Sequence, residues 1–247
     1  LVSSFILSSK VGKEAYVEPV ADGDSYHFKV KVGQPPAQAE EGTKVGRGGH
    51  FGCLMSASPI HVNYIREQGK LGLMGQRMLA IVADGVKGRV YLTPPIQHEA
   101  LADEITPTWK PDVLINHNPR DIRTQLYGLT KYSDLFTSRQ LVALTTFSDL
   151  VQESIVKCRL DAIAQGMTDD GISLDAGGRG ATAYAQAVGV YLAFSIDKAS
   201  DYWSTICSWH SSKDLIRNTF GRQAIPMTSD YAETNPFSDS SGNVSSG

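Results

Sequence analysis

The stretch from Thr137 to Gln165 constrains this chain more than any other. Leu141, Leu144, Phe147, Val151 and Ile155 recur at helical spacing, and Leu150, Val156, Leu160 and Ile163 widen the stripe. Such a stripe is the inward face of an amphipathic helix. Thr137, followed three residues later by Gln140, is a capping-box signature that marks the start. At about 1.5 Å per residue the helix is roughly 40 Å long and needs a partner along its length. A second stretch supplies one. From Thr182 to Cys207, the residues Ala185, Val188, Leu192, Ile196, Ala199 and Trp203 form a stripe. Ala181, Ala183, Ala185, Ala187 and Ala193 favour helix there and permit close approach. The Gly- and Asp-rich segment Gly166–Gly180 reads as an exposed, flexible connection, so the two helices are expected to pack antiparallel.

The first third reads differently. Phe5–Ser8 is short and apolar, while Ala15–Val20 and Tyr26–Val32 alternate apolar and polar residues. Tyr26, Phe28, Val30 and Val32 fall on one face, and Asp22-Gly23-Asp24 is a turn signal, so a hairpin is expected. Gly33–Gly49 reads as a loop. Pro59 opens an expected helix over Ile60–Gln68, stopped by Gly69. Leu79–Ala83 and Arg89–Leu92 are strand-like runs around a turn. Glu99–Glu104 is one or two helical turns, and Thr106–Arg120, with its prolines, is a connector. Ser212 is placed to cap a short helix over Lys213–Phe220, closed by Gly221. The tail from Ser238 is polar and expected to fray. The expected fold class is α+β: a β-rich part, residues 1–95, then a helical part, residues 96–247, built on two long antiparallel helices.

Composition narrows the partners. The net charge of −3 over 247 residues gives no global basic signature, so a nucleic-acid partner needs a local basic patch. Cys53, Cys158 and Cys207 are far apart and make no C-x-x-C pair, which argues against a zinc ribbon or redox motif. Few, unpaired cysteines fit a reducing cytosol, so a cytoplasmic location is expected. No apolar run is long enough to span a membrane. Leu1 without a Met and a polar end at Gly247 read as cuts through a longer protein.

Asn235-Pro236-Phe237 is a fragment of the Asn/Asp-Pro-Pro-aromatic pattern with which amino-methyltransferases hold a flipped base, but Ser238 follows Phe237 and the second proline is missing. It reads as a turn. Gly46, Gly48 and Gly49 around Arg47, and the run Gly177-Gly178-Arg179-Gly180, lack the strand–loop–helix setting of a phosphate cradle and read as loops. The six histidines show no metal spacing, and no metal is assigned. Basic residues do gather with aromatic ones. Arg120, Arg123 and Lys131 surround Tyr127 and Tyr132, and Arg217 and Arg222 bracket Asn218 and Phe220. Cations interleaved with rings suit phosphate contacts and base stacking. These six residues, Arg120, Arg123, Lys131, Arg217, Asn218 and Arg222, are the candidate DNA contacts. Trp203 and Trp209 read as core.

Several runs together carry a family resemblance. The first part holds Leu1-Val2-Ser3-Ser4-Phe5, Tyr64-Ile65-Arg66 with Gly69-Lys70, and Gly88-Arg89-Val90-Tyr91-Leu92. The helical part holds Asp134-Leu135-Phe136-Thr137, Leu144-Thr145-Thr146-Phe147-Ser148-Asp149-Leu150, Ile216-Arg217-Asn218-Thr219-Phe220 and Asn235-Pro236-Phe237-Ser238-Asp239-Ser240-Ser241-Gly242-Asn243. In that order they resemble the central part of the large adenine-specific DNA methylases that begin with a conserved domain of unknown function. The resemblance implies a prokaryotic parent enzyme that uses S-adenosylmethionine. Its cofactor motif lies before this segment and its Asp-Pro-Pro-Tyr motif after it, so no catalytic or cofactor-binding residue is expected here. The implied role is a non-catalytic, target-engaging insert, with DNA and the methylase core of the same chain as partners. The alternative is a scaffold or protein-interaction insert that does not contact DNA. Relatives carry Cys pairs near the Cys53 region. Here Ser56 and Ser58 stand where a partner is expected, so a zinc-ribbon-like region without zinc is implied.

Overall fold

The computed structural model describes residues 1–240 and 242–244. The chain is α+β and divides into two compact units. The first comprises Leu1–Ile105, Asp112–Leu135 and Thr205–Glu233; the second comprises Thr106–Pro111, Phe136–Ser204 and Thr234–Gly247. This division does not follow a cut at residue 95. Segments from the expected helical part return to the first unit because long-range bonds hold them there. Trp209 Nε1–H donates to the Leu7 carbonyl at 2.6 Å, and Lys10 pairs with the buried Asp214 at 2.7 Å.

The first unit is a set of small antiparallel sheets. β1 (Ile6–Ser8), β2 (Ala15–Asp22) and β3 (Ser25–Val32) form one sheet in that order. The Gly23 turn, with φ of 57°, closes the β2–β3 hairpin at Asp22↔Ser25. Val17 and Phe28 from this sheet pack with Val2, Phe5 and Ala39, the last on α1 (Gln38–Glu41). Only the middle of the expected β3 stripe is inside: Phe28 is buried, while Val32 is 76% exposed.

β4 (Phe51–Gly52) pairs with β5 (Pro59–Ile60). The expected helix at Ile60–Gln68 therefore starts later, as α2 (Val62–Lys70). Pro59 and Ile60 are spent on the hairpin, and His61 is the cap, its Nδ1 accepting the Asn63 N–H at 3.3 Å. β6 (Ile81–Gly85) and β7 (Gly88–Leu92) form a second hairpin, followed by α3 (Ile96–Asp103). Short 3-10 turns cover Thr124–Tyr127 and Tyr132–Leu135.

The second unit is built on α4 (Ser138–Ala164) and α5 (Ala181–Ser200). The capping box is present: Gln140 N–H donates to Thr137 Oγ1 at 3.3 Å, and Thr137 N–H donates to Gln140 Oε1 at 2.8 Å. The helices are antiparallel, since Phe147 near the start of α4 meets Trp203 beyond the end of α5, while Arg159 near the end of α4 bonds Thr182. They approach closely midway, where a Cβ on Gly189 would lie 2.5 Å from the Ile155 side chain. α5 ends at Ser200 and not at Cys207. Trp203 is nonetheless core, 2% exposed, with its Nε1–H donating to the Gly242 carbonyl at 2.6 Å.

The connection after α4 is not a free loop. Asp169 accepts N–H groups from Gly171 and Thr182, the Thr182 hydroxyl and the Arg159 guanidinium. Asp170 accepts from Ile172 and Arg179. The Thr182 contacts above all, then Arg159, hold the Asp169 carboxyl well below the usual carboxylate range. Two aspartates thus replace a hydrophobic core in ordering this segment.

The expected helix over Lys213–Phe220 is absent. Its place is taken by β8 (Ser208–His210) and β9 (Leu215–Arg217), an antiparallel hairpin in the first unit. Asp214, at φ of 53°, makes the left-handed turn between them. The tail also departs from expectation, because Gly242 and Asn243 are buried and Asn243 Nδ2 donates to the Ser238 carbonyl at 2.6 Å. Ser241 and residues 245–247 lie outside the described residues.

Candidate nucleic-acid interface

All six candidate contacts lie in the first unit. The Arg120–Arg123 segment is fixed by its own turn. Asn118 Nδ2 donates to Asp121 at 3.0 Å, the Asp121 N–H donates back to Asn118 Oδ1, and Ile122 N–H donates to the Asn118 carbonyl at 2.7 Å. This Asx-type turn opens the way into the Thr124–Tyr127 3-10 turn. Beyond it, Ile122 and Ile225 form a parallel bridge: Arg123 N–H donates to the Ile225 carbonyl at 3.0 Å, and Ile225 N–H to the Asp121 carbonyl at 2.9 Å. Residues about a hundred apart in sequence are thereby neighbours, and the segment carrying Arg120 and Arg123 runs beside the one that follows Arg222.

The arginines are available for a ligand to different degrees. Arg120 is almost wholly in solvent, its side chain 92% exposed, and its contact with Asp121 is long at 4.0 Å. An exposed pair of this kind contributes little. Arg123, Arg217 and Arg222 are exposed and form no ion pair among the described residues. Lys131 is different. Asp112 binds its ammonium directly, raising the Lys131 pKa, and Asp134 takes its backbone N–H at 2.9 Å. Lys131 is a structural tie between the 112 and 131 segments, which also meet at the Leu114↔Lys131 bridge.

Arg217 ends β9 opposite Ser208. Burial lowers the His210 pKa on the neighbouring strand, and the charges of Arg217 and Lys213 lower it further. Asn218 follows; its Oδ1 sits 3.0 Å from where a Cβ on Gly221 would be, so Gly221 gives room for this turn rather than closing a helix. Phe220 is exposed and Thr219 is buried against Cys207. Tyr127 does not stand free as a stacking platform, since Arg66 lies 5.6 Å over its ring.

Other sequence candidates resolve into structure. Asn235 Oδ1 accepts the Phe237 N–H at 3.0 Å, an Asx turn that leaves Phe237 81% exposed at 5.8 Å from Phe147. Cys53 sits in a tight turn with Ala57 at φ of 57°; the Ser56 hydroxyl, then the Ser56 and Met55 amides, lower its thiol pKa. Among the described residues no group of three His, Cys, Asp or Glu side chains is arranged to hold a metal, and no helix is long and apolar enough to cross a membrane.

No protein-family model matches the chain, and neither a curated protein nor a solved structure matches it.

Proposed function

We propose that this chain is the central, non-catalytic part of a cytoplasmic S-adenosylmethionine-dependent adenine-specific DNA methyltransferase. Its first unit grips the DNA backbone through Arg120, Arg123, Arg217 and Arg222, with Asn218 beside them. The ordered run of family-like segments from Leu1 to Asn243 supports the parent activity. One geometric observation supports the DNA role: the Ile122↔Ile225 bridge aligns two arginine-bearing segments that are remote in sequence. Arg123 and Arg222, which form no ion pair among the described residues, and Arg120, whose Asp121 contact is long at 4.0 Å, suit bidentate phosphate contacts, which set affinity and register without reading bases. Cofactor and reacting base belong to other parts of the parent protein.

Fluorescence anisotropy with single- and double-stranded DNA across a salt series tests this. Binding should weaken linearly on a log–log salt plot, and Arg123→Ala with Arg222→Ala should lower the slope by about two. A slope untouched by the double change in a folded protein defeats the proposal.

A second reading has its own support. Val156 and Leu160 on α4, and Tyr191 and Phe194 on α5, are exposed, with Tyr191 at 75%. Helices apolar on outer as well as inner faces ordinarily pack against something further. In this reading the second unit is a scaffold that seats against the methylase core. A folded chain that binds no DNA even at low salt favours it.

A further inference from the structure

The segment after β9 carries an exposed aromatic ring in basic surroundings. Both of its ends are anchored. Arg217 closes the β8–β9 ladder opposite Ser208, and Ile225 is bonded through its N–H and its carbonyl to the Asp121–Arg123 backbone. Between them Thr219 is the inward side chain, 4% exposed, its Oγ1 lying 3.5 Å from Sγ of the buried Cys207. Phe220 is the outward one, 57% exposed. Arg222 is two residues from Phe220 and Arg217 is three, so chain geometry alone keeps their Cα atoms within about 7 and 11 Å of its own. Both arginines are exposed and form no ion pair among the described residues. From Leu215 to Ser229 the chain has no Asp or Glu.

An aromatic ring held at the surface beside two cations offers a face on which a base can stack and charges for the phosphates that accompany it. Exposure alone does not make such a site, and Phe237 is the counter-example within the chain. It is more exposed, at 81%, but Glu233 and Asp239 flank it in sequence and no Lys or Arg follows Arg222. Acidic flanks repel a phosphate backbone. We propose that Phe220 is a stacking platform for an unpaired nucleobase, with Arg217 and Arg222 holding the phosphates on either side of it. This rests on the DNA reading above and narrows it: the first unit binds single-stranded DNA in preference to duplex. In a duplex each base face is covered by its neighbours in the stack, so a surface ring reaches one only by forcing a step open. An unpaired base meets the ring without that cost.

Fluorescence anisotropy of the full chain with a labelled mixed-sequence oligonucleotide, alone and annealed to its complement, tests the platform. At physiological salt the single strand should bind more tightly than the duplex. Phe220→Leu should weaken single-strand binding about tenfold, the loss of one stacked base, and leave duplex affinity and the salt slope unchanged, since no phosphate contact is removed. Phe220→Tyr keeps the ring and should bind as the unaltered chain does. Phe237→Leu should change neither affinity. A duplex bound as tightly as the single strand or more tightly, or a Phe220→Leu loss that is absent or equal for both forms, overturns the platform. The DNA ledge stands without it if the salt slope still answers to Arg123→Ala with Arg222→Ala. If neither form of DNA binds at all, both fall.

Discussion

The two units are held together by different means. In the second, two long helices run antiparallel with small residues between them, and Ala181, Ala183, Ala185 and Gly189 are all buried. Its order comes from close approach of backbones, sealed at one end by Trp203 against Phe147 and at the other by Asp169. In the first, no described element is longer than nine residues, and a small cluster of buried residues, Val2, Phe5, Val17, Phe28 and Ala39, is covered by partly buried neighbours such as Tyr16 and Leu79. There, order comes from bonds between segments far apart in sequence, such as Trp209 to Leu7 and Arg123 to Ile225. The contrast teaches where each kind of function can sit. A helix pair with apolar outer faces suits packing, whereas the patchwork leaves arginines and imidazoles on loops fixed by backbone bonds.

The largest expected effect on this contrast is at Trp203. Trp203→Ala should cost about 3–5 kcal/mol through the cavity it leaves and the orphaned Gly242 carbonyl. Hydrogen exchange should show protection lost in α4 and α5 while the β2–β3 hairpin keeps its own. Uniform loss across both units breaks the picture of separately ordered parts. Next comes Gly189→Val, which drives side-chain atoms into Ile155 and should cost about 1–3 kcal/mol by overpacking. Ile155→Ala in the same chain should recover part of that in a double-mutant cycle; no recovery means the close approach is not where stability resides. Thr137→Ala removes one half of the capping box and should cost about 1 kcal/mol, read as a lower unfolding midpoint of α4.

The smallest effect is a pH response. The Asp169 carboxyl is held below its unfolded value, first by the Thr182 hydroxyl and amide and then by Arg159. Its contribution is therefore complete above about pH 4, near the unfolded carboxylate value, and is lost as pH falls below that. The protection factors of the Gly171 and Thr182 amides, with the intrinsic pH dependence of exchange divided out, should fall in that acid range in the native protein. Asp169→Asn should show the lower protection already at neutral pH, with no further acid step from this group.

The helix pair was legible because its information is local. The Thr137–Gln140 box and the stripe through Leu141 and Val151 specify α4 to within a residue at each end. The same pattern misled where it was extended: Leu150, Val156, Leu160 and Ile163, read as widening the inward stripe, are exposed. Periodicity says that a face is apolar, not that this chain covers it. The short helix expected after Ser212 failed for a related reason. Ser212, Lys213–Phe220 and Gly221 satisfy helix grammar, yet Asp214 turns left-handed and pairs with Lys10, two hundred residues away in sequence, so a tertiary ion pair overrode a weak local preference.

The candidate contacts divide along the same line. Residue type and charge alone marked Arg120, Arg123, Lys131, Arg217, Asn218 and Arg222, but only the structure showed Lys131 committed to Asp112 and Arg123 tied beside Ile225. Nothing in the sequence spacing flagged that cross-strand pairing sets His50 against His61, or that α2 sets Arg66 over the Tyr127 ring.

The amino-acid order by itself determined the α+β class, the two long helices, the cap of α4 and the first hairpin, because caps, turns and apolar periods act over a few residues. The folded chain decided which segments return to the first unit, which cations are already paired and which apolar faces stay uncovered. Those outcomes depend on contacts between distant residues, whose energies no short stretch contains.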